Sequence, residues 1–216
     1  MLRFASAPLL LLLAGAATAQ DGSFAVFGIP FGVPLTVPEC TWREGRDYMS
    51  ADRRATKREY KNAMWSDESG PCFIQSLRNI GKPIEEGESV SILFPLQERP
   101  SMSKRGSLGV RIVDGKADYM TVHTLGLAGQ THDLAELTEK FGTPTSIEHP
   151  KAQNRMGATF ETTEATWSLK GGVSVTYHSA LSTTDEGLIV ITTTKGALAE
   201  KRAMDDFEKQ FGGRDL

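Results

Sequence analysis

Two cysteines, four histidines and one Ser-x-x-Lys quartet are the residues through which this chain could carry out chemistry. Cys40 and Cys72 are too far apart for a Cys-x-x-Cys redox or metal motif and have no histidine pattern beside them, so they read as a structural disulfide. Ser101-Met102-Ser103-Lys104 matches the nucleophile motif of penicillin-recognising enzymes. That chemistry needs the serine at the start of a buried helix, with Ser-Asp-Asn and Lys-Thr-Gly partners. Here Pro100 precedes the quartet, Arg105-Gly106 follows it, and neither partner motif occurs. His123, His132, His149 and His178 are scattered. His123 and His178 on facing strands could form a zinc or acid-base pair, although histidines on the polar side of strands usually meet solvent. No nucleophile elbow, zincin motif or phosphate-cradling glycine loop is present, so no catalytic, metal or cofactor residue is assigned. Trp167 and Tyr177 could present an aromatic binding surface, but Trp167 shares the apolar phase of Ala165 and Leu169 and is expected in the core.

The residues ahead of this chemistry read as an export signal. Arg3 supplies a positive start, Pro8 to Ala14 an apolar run too short to span a bilayer, and Ala17-Thr18-Ala19 a small-x-small cleavage site. Cleavage after Ala19 is expected to leave residues 20–216 as one periplasmic or secreted domain, divisible into halves 20–114 and 115–216. No later run is long enough for a transmembrane helix, and no cysteine follows the apolar run to carry a lipid. The whole chain has 24 basic and 27 acidic residues, a formal charge of −3. Such a balance argues against a nucleic-acid partner.

One local stretch opposes that balance. Between the cysteines, Arg43, Arg46, Arg53, Arg54, Lys57, Arg58 and Lys61 outnumber Glu44, Asp47, Asp52 and Glu59. Arg53, Arg54, Lys57 and Arg58 are therefore the candidate contacts for an acidic partner or anionic surface. The alternative is a solvated connection, with any contact surface moved to the polar face of the strands after residue 173. Ala51 to Met64 is rich in helix formers but has a poor apolar stripe, which leaves helix and loop-plus-strand open.

The elements that must position these residues follow from periodicity. Thr131 can cap a helix whose Leu134, Leu137 and Phe141 share a stripe, ended by Gly142 and Pro144. Ala165, Trp167 and Leu169 alternate with polar residues, as do Val173, Val175 and Tyr177 across a Lys170-Gly171-Gly172 turn; Leu188 to Thr194 supplies another strand. Strands are also predicted at Pro71 to Leu77, Val90 to Pro95, Leu108 to Val113 and Ala117 to His123, the last two joined by Asp114-Gly115. Ile29 and Val33, each before a proline, are expected to be extended, and Thr36 to Glu39 to form a capped helical turn. Ala197 to Phe211 is predicted as a terminal helix docking through Met204, Phe207 and Phe211. The fold class is α+β, an antiparallel sheet with helices packed on one face and one disulfide.

The order of helix, Phe141-Gly142-Thr143-Pro144 and the strands through Trp167, Val173 to Tyr177 and Gly187 to Thr194 resembles the repeat unit of exported bacterial proteins of the beta-lactamase-inhibitor and outer-membrane-assembly-lipoprotein type. The resemblance covers about one third of the exported chain and rests on pattern more than on rare residues. It implies binding of another envelope or secreted protein, as a non-enzymatic inhibitor or assembly accessory. Without the lipid-bearing cysteine, the lipoprotein members' anchor has no counterpart. A small envelope hydrolase or a small-ligand binder is the alternative function.

Overall fold

The computed structural model describes residues 24–47, 49–50, 52, 55–153 and 157–211. In chain order its strands are β1 (Ala25–Val26), β2 (Ile29–Pro30), β3 (Trp42–Arg46), β4 (Thr56–Tyr60), β5 (Cys72–Ile74), β6 (Ser89–Leu93), β7 (Ser107–Val113) and β8 (Lys116–Thr124). Helix α1 (Gln130–Phe141) follows, then β9 (Ser146–Glu148), β10 (Lys151–Gln153), β11 (Thr159–Glu161), β12 (Glu164–Leu169), β13 (Val173–His178), β14 (Gly187–Thr193) and helix α2 (Thr194–Phe211).

Eight of the strands form one antiparallel sheet in the order β5-β6-β7-β8-β14-β13-β12-β9. Two meanders meet at its centre, where β8 pairs with β14 over Gly187↔Thr124 to Thr192↔Tyr119. Tight turns set the β7–β8 and β12–β13 pairings. Asp114 and Gly115 both adopt positive φ, 51° and 70°, the geometry that reverses a hairpin with the correct twist; Glu86 holds the Asp114 amide at 2.8 Å. Gly171 and Gly172 do the same between β12 and β13, at 78° and 74°.

Strand alternation divides the sheet into two unlike faces. One carries Val90, Ile92, Leu108, Val110, Met120, Val122, Trp167, Val175, Tyr177, Ile189 and Ile191, none more than 2% exposed. This core face is covered by α1 and by the segment before β3. Leu137 is buried, and Leu134 and Phe141 pack beside it. Phe24 stacks on Phe31, centroids 5.1 Å apart, and meets Phe141 edge-on at 5.9 Å. The β1–β2 hairpin turns on Phe27 and Gly28, both at positive φ. Gly32 and Val33 bond to the main chain of Ala117 at 2.9 Å.

Trp167 is 1% exposed, and its indole N–H donates to the Gly142 carbonyl at 2.7 Å. That bond ties the strand to the end of α1, where Gly142 at φ 82° also closes the helix by donating to Thr138. The predicted helix stripe and strand phase thus meet as the periodicity requires.

At the β5 edge a smaller cluster lies on the opposite face. Cys40 and Cys72 form the disulfide, with Cα atoms 4.8 Å apart, packed with Leu93, Tyr60 and Ile74. Tyr60 belongs to the β3–β4 ribbon, which settles the open choice in favour of loop-plus-strand over the described residues of Ala51 to Met64. Its hydroxyl donates to Glu39 Oε1 at 2.8 Å and accepts from the Gln75 amide at 2.9 Å. Burial, with the Glu39 carboxylate adding to it, pushes the Tyr60 phenol far above its ordinary pKa.

Four local expectations are corrected. The predicted helical turn at Thr36 to Glu39 is extended: Glu39 bridges Phe73 in parallel, and its carboxylate serves the Gly81 amide instead of capping its own chain. Helix α1 begins at Gln130 with Gly129, not Thr131, as its cap, because the 3-10 turn Gly126–Ala128 already feeds the chain into helical geometry. The helices also divide between the faces. Gly196 approaches the Asp118 carbonyl, and Glu200 pairs with Arg111 at 2.8 Å, so α2 lies on the face opposite α1. Its docking side is therefore Gly196, Ala199, Glu200 and Ala203. Met204 and Phe207, predicted to dock, are 57% and 64% exposed; the side chain of Phe211 lies outside the described residues. A small-residue stripe lets the helix backbone approach the sheet more closely than large side chains would.

Candidate functional site

The face of the sheet away from α1 is only partly covered, by α2 and, at the β5 edge, by the disulfide cluster. One row crosses all eight strands: Ile74, Ser91, Gly109, Thr121, Val190, Thr176, Thr166 and Ser146, each directly opposite the next. A Cβ on Gly109 would collide with the Thr121 hydroxyl, so glycine is what keeps that row flat. Alongside runs a second row, His123, Leu188, His178, Glu164 and Glu148. Helix α2 packs on β7, β8 and β14, and toward β12 and β13 the same face is half-buried or exposed: Thr166, Ser168, Ser174, Thr176, His178, Leu188 and Val190. The result is two aliphatic side chains on a central strand, ringed by short hydroxyls and edged by charge.

The register decides the histidine question. His123 and His178 flank Leu188 across two strand spacings, about 9–10 Å, too far to share a metal or a proton. Each faces a carboxylate instead. His123 Nδ1 lies 2.9 Å from Glu186 Oε1, and His178 Nδ1 lies 3.6 Å from Glu164 Oε1. Glu186 also receives Arg105 at 2.8 Å, and that bond is the chief reason its carboxyl is held below the ordinary range. Lys104 pairs with Asp185 at 2.9 Å, while Ser101 donates to Glu136 at 3.0 Å. The Ser-x-x-Lys quartet is thus a surface turn whose serine and lysine face different partners.

Of the candidate basic contacts, Lys57 and Arg58 lie on β4. Arg53 and Arg54 fall outside the described residues. Lys57 is half-buried and Arg58 exposed. Arg58 donates to the Ile80 carbonyl at 2.7 Å and sits 4.8 Å over the Trp42 ring. Its position is fixed by these contacts.

Two further features lie around α1. A cleft of about 470 Å³ opens between the helix and the N-terminal segment, floored by Val122, Ile189 and Ile191 and rimmed by Glu136, Glu139 and Lys140. The Lys140 ammonium is 5.7 Å from the centroids of both Phe27 and Phe141, and its local burial lowers its pKa. Beneath the helix start, Asp133 is 1% exposed and accepts from Tyr177 Oη at 3.4 Å. Burial raises the Asp133 carboxyl, with the Thr124 hydroxyl the largest opposing influence; burial, then the neighbouring Asp133, raises the Tyr177 phenol. This cluster is sealed, and its geometry fits anchoring of the helix to the sheet.

Among the described residues no group of three or more His, Cys, Asp or Glu side chains could hold a metal ion, and no helix is long and apolar enough to cross a membrane. No protein-family model, no curated protein and no solved structure matches this chain.

Leu188 and Val190 were hidden in the sequence. They sit in the run Leu188-Ile189-Val190-Ile191, whose continuous apolar character masks the alternation that sends Ile189 and Ile191 inward and the other two outward. The polar residues opposite them, Thr121 and Thr176 across from Val190 and His123 and His178 across from Leu188, carried the only signal.

Proposed function

We propose that this protein is a non-enzymatic interaction module of the bacterial envelope, exported to the periplasm or beyond, that binds another envelope or secreted protein through the uncovered face of its sheet. The observation that carries this reading is the unbroken eight-strand row centred on Val190, with Leu188 in the row beside it. A flat face with an aliphatic middle and a polar rim has the anatomy of a non-obligate protein interface. Its β-branched and short hydroxyl side chains lose little conformational freedom when covered. The likeness of the helix-plus-meander unit to exported inhibitor and assembly proteins supports the same reading, as do the Arg3 to Ala19 export pattern and the disulfide. The basic ribbon, with Lys57 and Arg58 and the neighbouring Arg53 and Arg54, would steer an acidic partner toward the face. A small-ligand function is favoured by one specific feature, the cleft beside α1.

The test compares residues 20–216 as wild type, Val190→Glu and Lys57→Glu in capture from envelope extract with quantitative mass spectrometry. Val190→Glu places a charge at the centre of the face and is expected to abolish retention of specific partners. Lys57→Glu is expected to weaken capture at low salt and to leave it nearly unchanged at high salt, as screening dictates. Equal retention of the same proteins by wild type and Val190→Glu would refute the proposed face.

A further inference from the structure

At the end of the sheet opposite the His123 row, a cavity of about 550 Å³ is walled by Gly32-Val33, the start of β8, the Lys170–Val173 turn and the β14–α2 junction. Its size lies within the range that holds small ligands, roughly 300–1,000 Å³. Three lysines from three separate elements line it, Lys116, Lys170 and Lys195, together with Asp114 and Asp118. One pair of charges is already satisfied: Lys195 Nζ lies 2.6 Å from Asp114 Oδ2. Lys116 and Lys170 make no ion pair among the described residues.

Asp118 is the unusual member. It is 6% exposed, and its Oδ2 accepts from the Thr193 hydroxyl at 2.9 Å. Its Oδ1 has no hydrogen-bond donor among the described residues. That oxygen is not fully buried and stays open to the cavity. The unserved oxygen faces the glycine-lined wall: a Cβ built on Gly32 would come 3.9 Å from Asp118 Oδ1. Gly32, Gly171 and Gly172 hold φ of 74°, 78° and 74°, and so leave that wall free of side chains.

An anion alone would meet Asp118, and a cation alone would meet Lys116 and Lys170, neither of them in an ion pair among the described residues. We propose that this cavity binds a small zwitterion, its primary ammonium donating to Asp118 Oδ1 and its anionic group lying between Lys116 and Lys170. The first-turn amides of the 18-residue helix α2 add favourable potential for the anionic end. An α-amino acid carries this pair of charges, and so does a phosphoethanolamine headgroup.

The purified chain, residues 20–216, is titrated with L-alanine, O-phosphoethanolamine, propionate, inorganic phosphate and ethylamine while amide resonances are followed by NMR. At least one zwitterion should shift Gly171, Gly172 and Lys195 in a saturable manner, and each single-charge compound should bind about tenfold or more weakly, as loss of one charged hydrogen bond implies. Alanine binding tighter than phosphoethanolamine assigns the site to an amino acid, and the reverse order to a headgroup. Lys170→Met, at an exposed turn, should weaken binding by about tenfold with an unchanged melting temperature; Asp118→Asn should do the same where it folds. Propionate or phosphate binding as tightly as the zwitterions, or no saturable shift with any probe, would overturn the proposal.

Discussion

Asp133 shows most clearly how single residues set the balance of this molecule. A carboxylate 1% exposed beneath α1 has a tyrosine hydroxyl 3.4 Å away and, among the described residues, no cation bonded to it. Burial therefore raises its folded-state pKa above the unfolded value. A raised carboxyl pKa means the native state holds the proton more tightly. The resulting stabilisation is complete below the ordinary carboxylate range, near pH 4, and is lost as pH rises through the raised value. Asp133→Asn removes the ionisation while keeping a group that can accept from Tyr177. Relative to wild type it should be more stable at pH 8, with the advantage shrinking toward pH 4, as measured by urea denaturation across that range. A difference independent of pH would show that ionisation of Asp133 does not act on folding. Asp114, Asp185 and Glu186 have the opposite sign, lowered first by hydrogen bonds from Lys195, Thr183 and Arg105 respectively. Their contribution is present above the unfolded pKa and fades in acid, and on an exposed surface it is small.

The elements divide by how local their information is. The β7–β8 and β12–β13 hairpins were legible because Asp114-Gly115 and Gly171-Gly172 impose their turns within two residues. Helix α1 was legible because its stripe and its Gly142 stop lie inside one segment, and Trp167 because alternation fixed its phase. The helical turn expected at Thr36 to Glu39 failed for the converse reason: the donors that claim Glu39 come from Tyr60, Gln75 and Gly81, distant in sequence. Helix α2 shows the same limit. Its apolar Met204 and Phe207 suggested the docking side, yet close approach is decided by Gly196 beneath the Asp118 carbonyl. Gly196→Ala should then destabilise the protein by about 1–3 kcal/mol through overpacking, despite the better helix propensity of alanine. Met204→Ser, on the exposed side, should change stability by no more than about 0.5 kcal/mol. Paired thermal denaturation checks both, and a stabilising Gly196→Ala would mean that α2 does not pack on the sheet as described.

For the molecule as a whole, the two faces of the sheet have different fates. One is sealed by α1 and the N-terminal segment, and its side chains supply the cohesion of the fold. The other is held at one edge by the disulfide-anchored ribbon and near the centre by α2, while β12, β13 and the outward side of β14 present an open surface. Sequence patterning revealed the sealed face, since burial leaves an apolar period. It could not reveal which outward residues form a contact surface, because Thr176, Thr166 and Leu188 acquire meaning only when three strands set them side by side. The histidines were isolated by that same alignment. The proposed binding function rests on this open face. Its most direct test is site-specific photo-crosslinking in cells, with a benzophenone side chain placed at Thr176, at Lys57 or at Glu139 on α1. A discrete covalent adduct with another protein is expected from Thr176, a weaker one from Lys57 and none from Glu139. Adducts from Glu139 with none from Thr176 would contradict it and place the contact surface on the other side of the molecule.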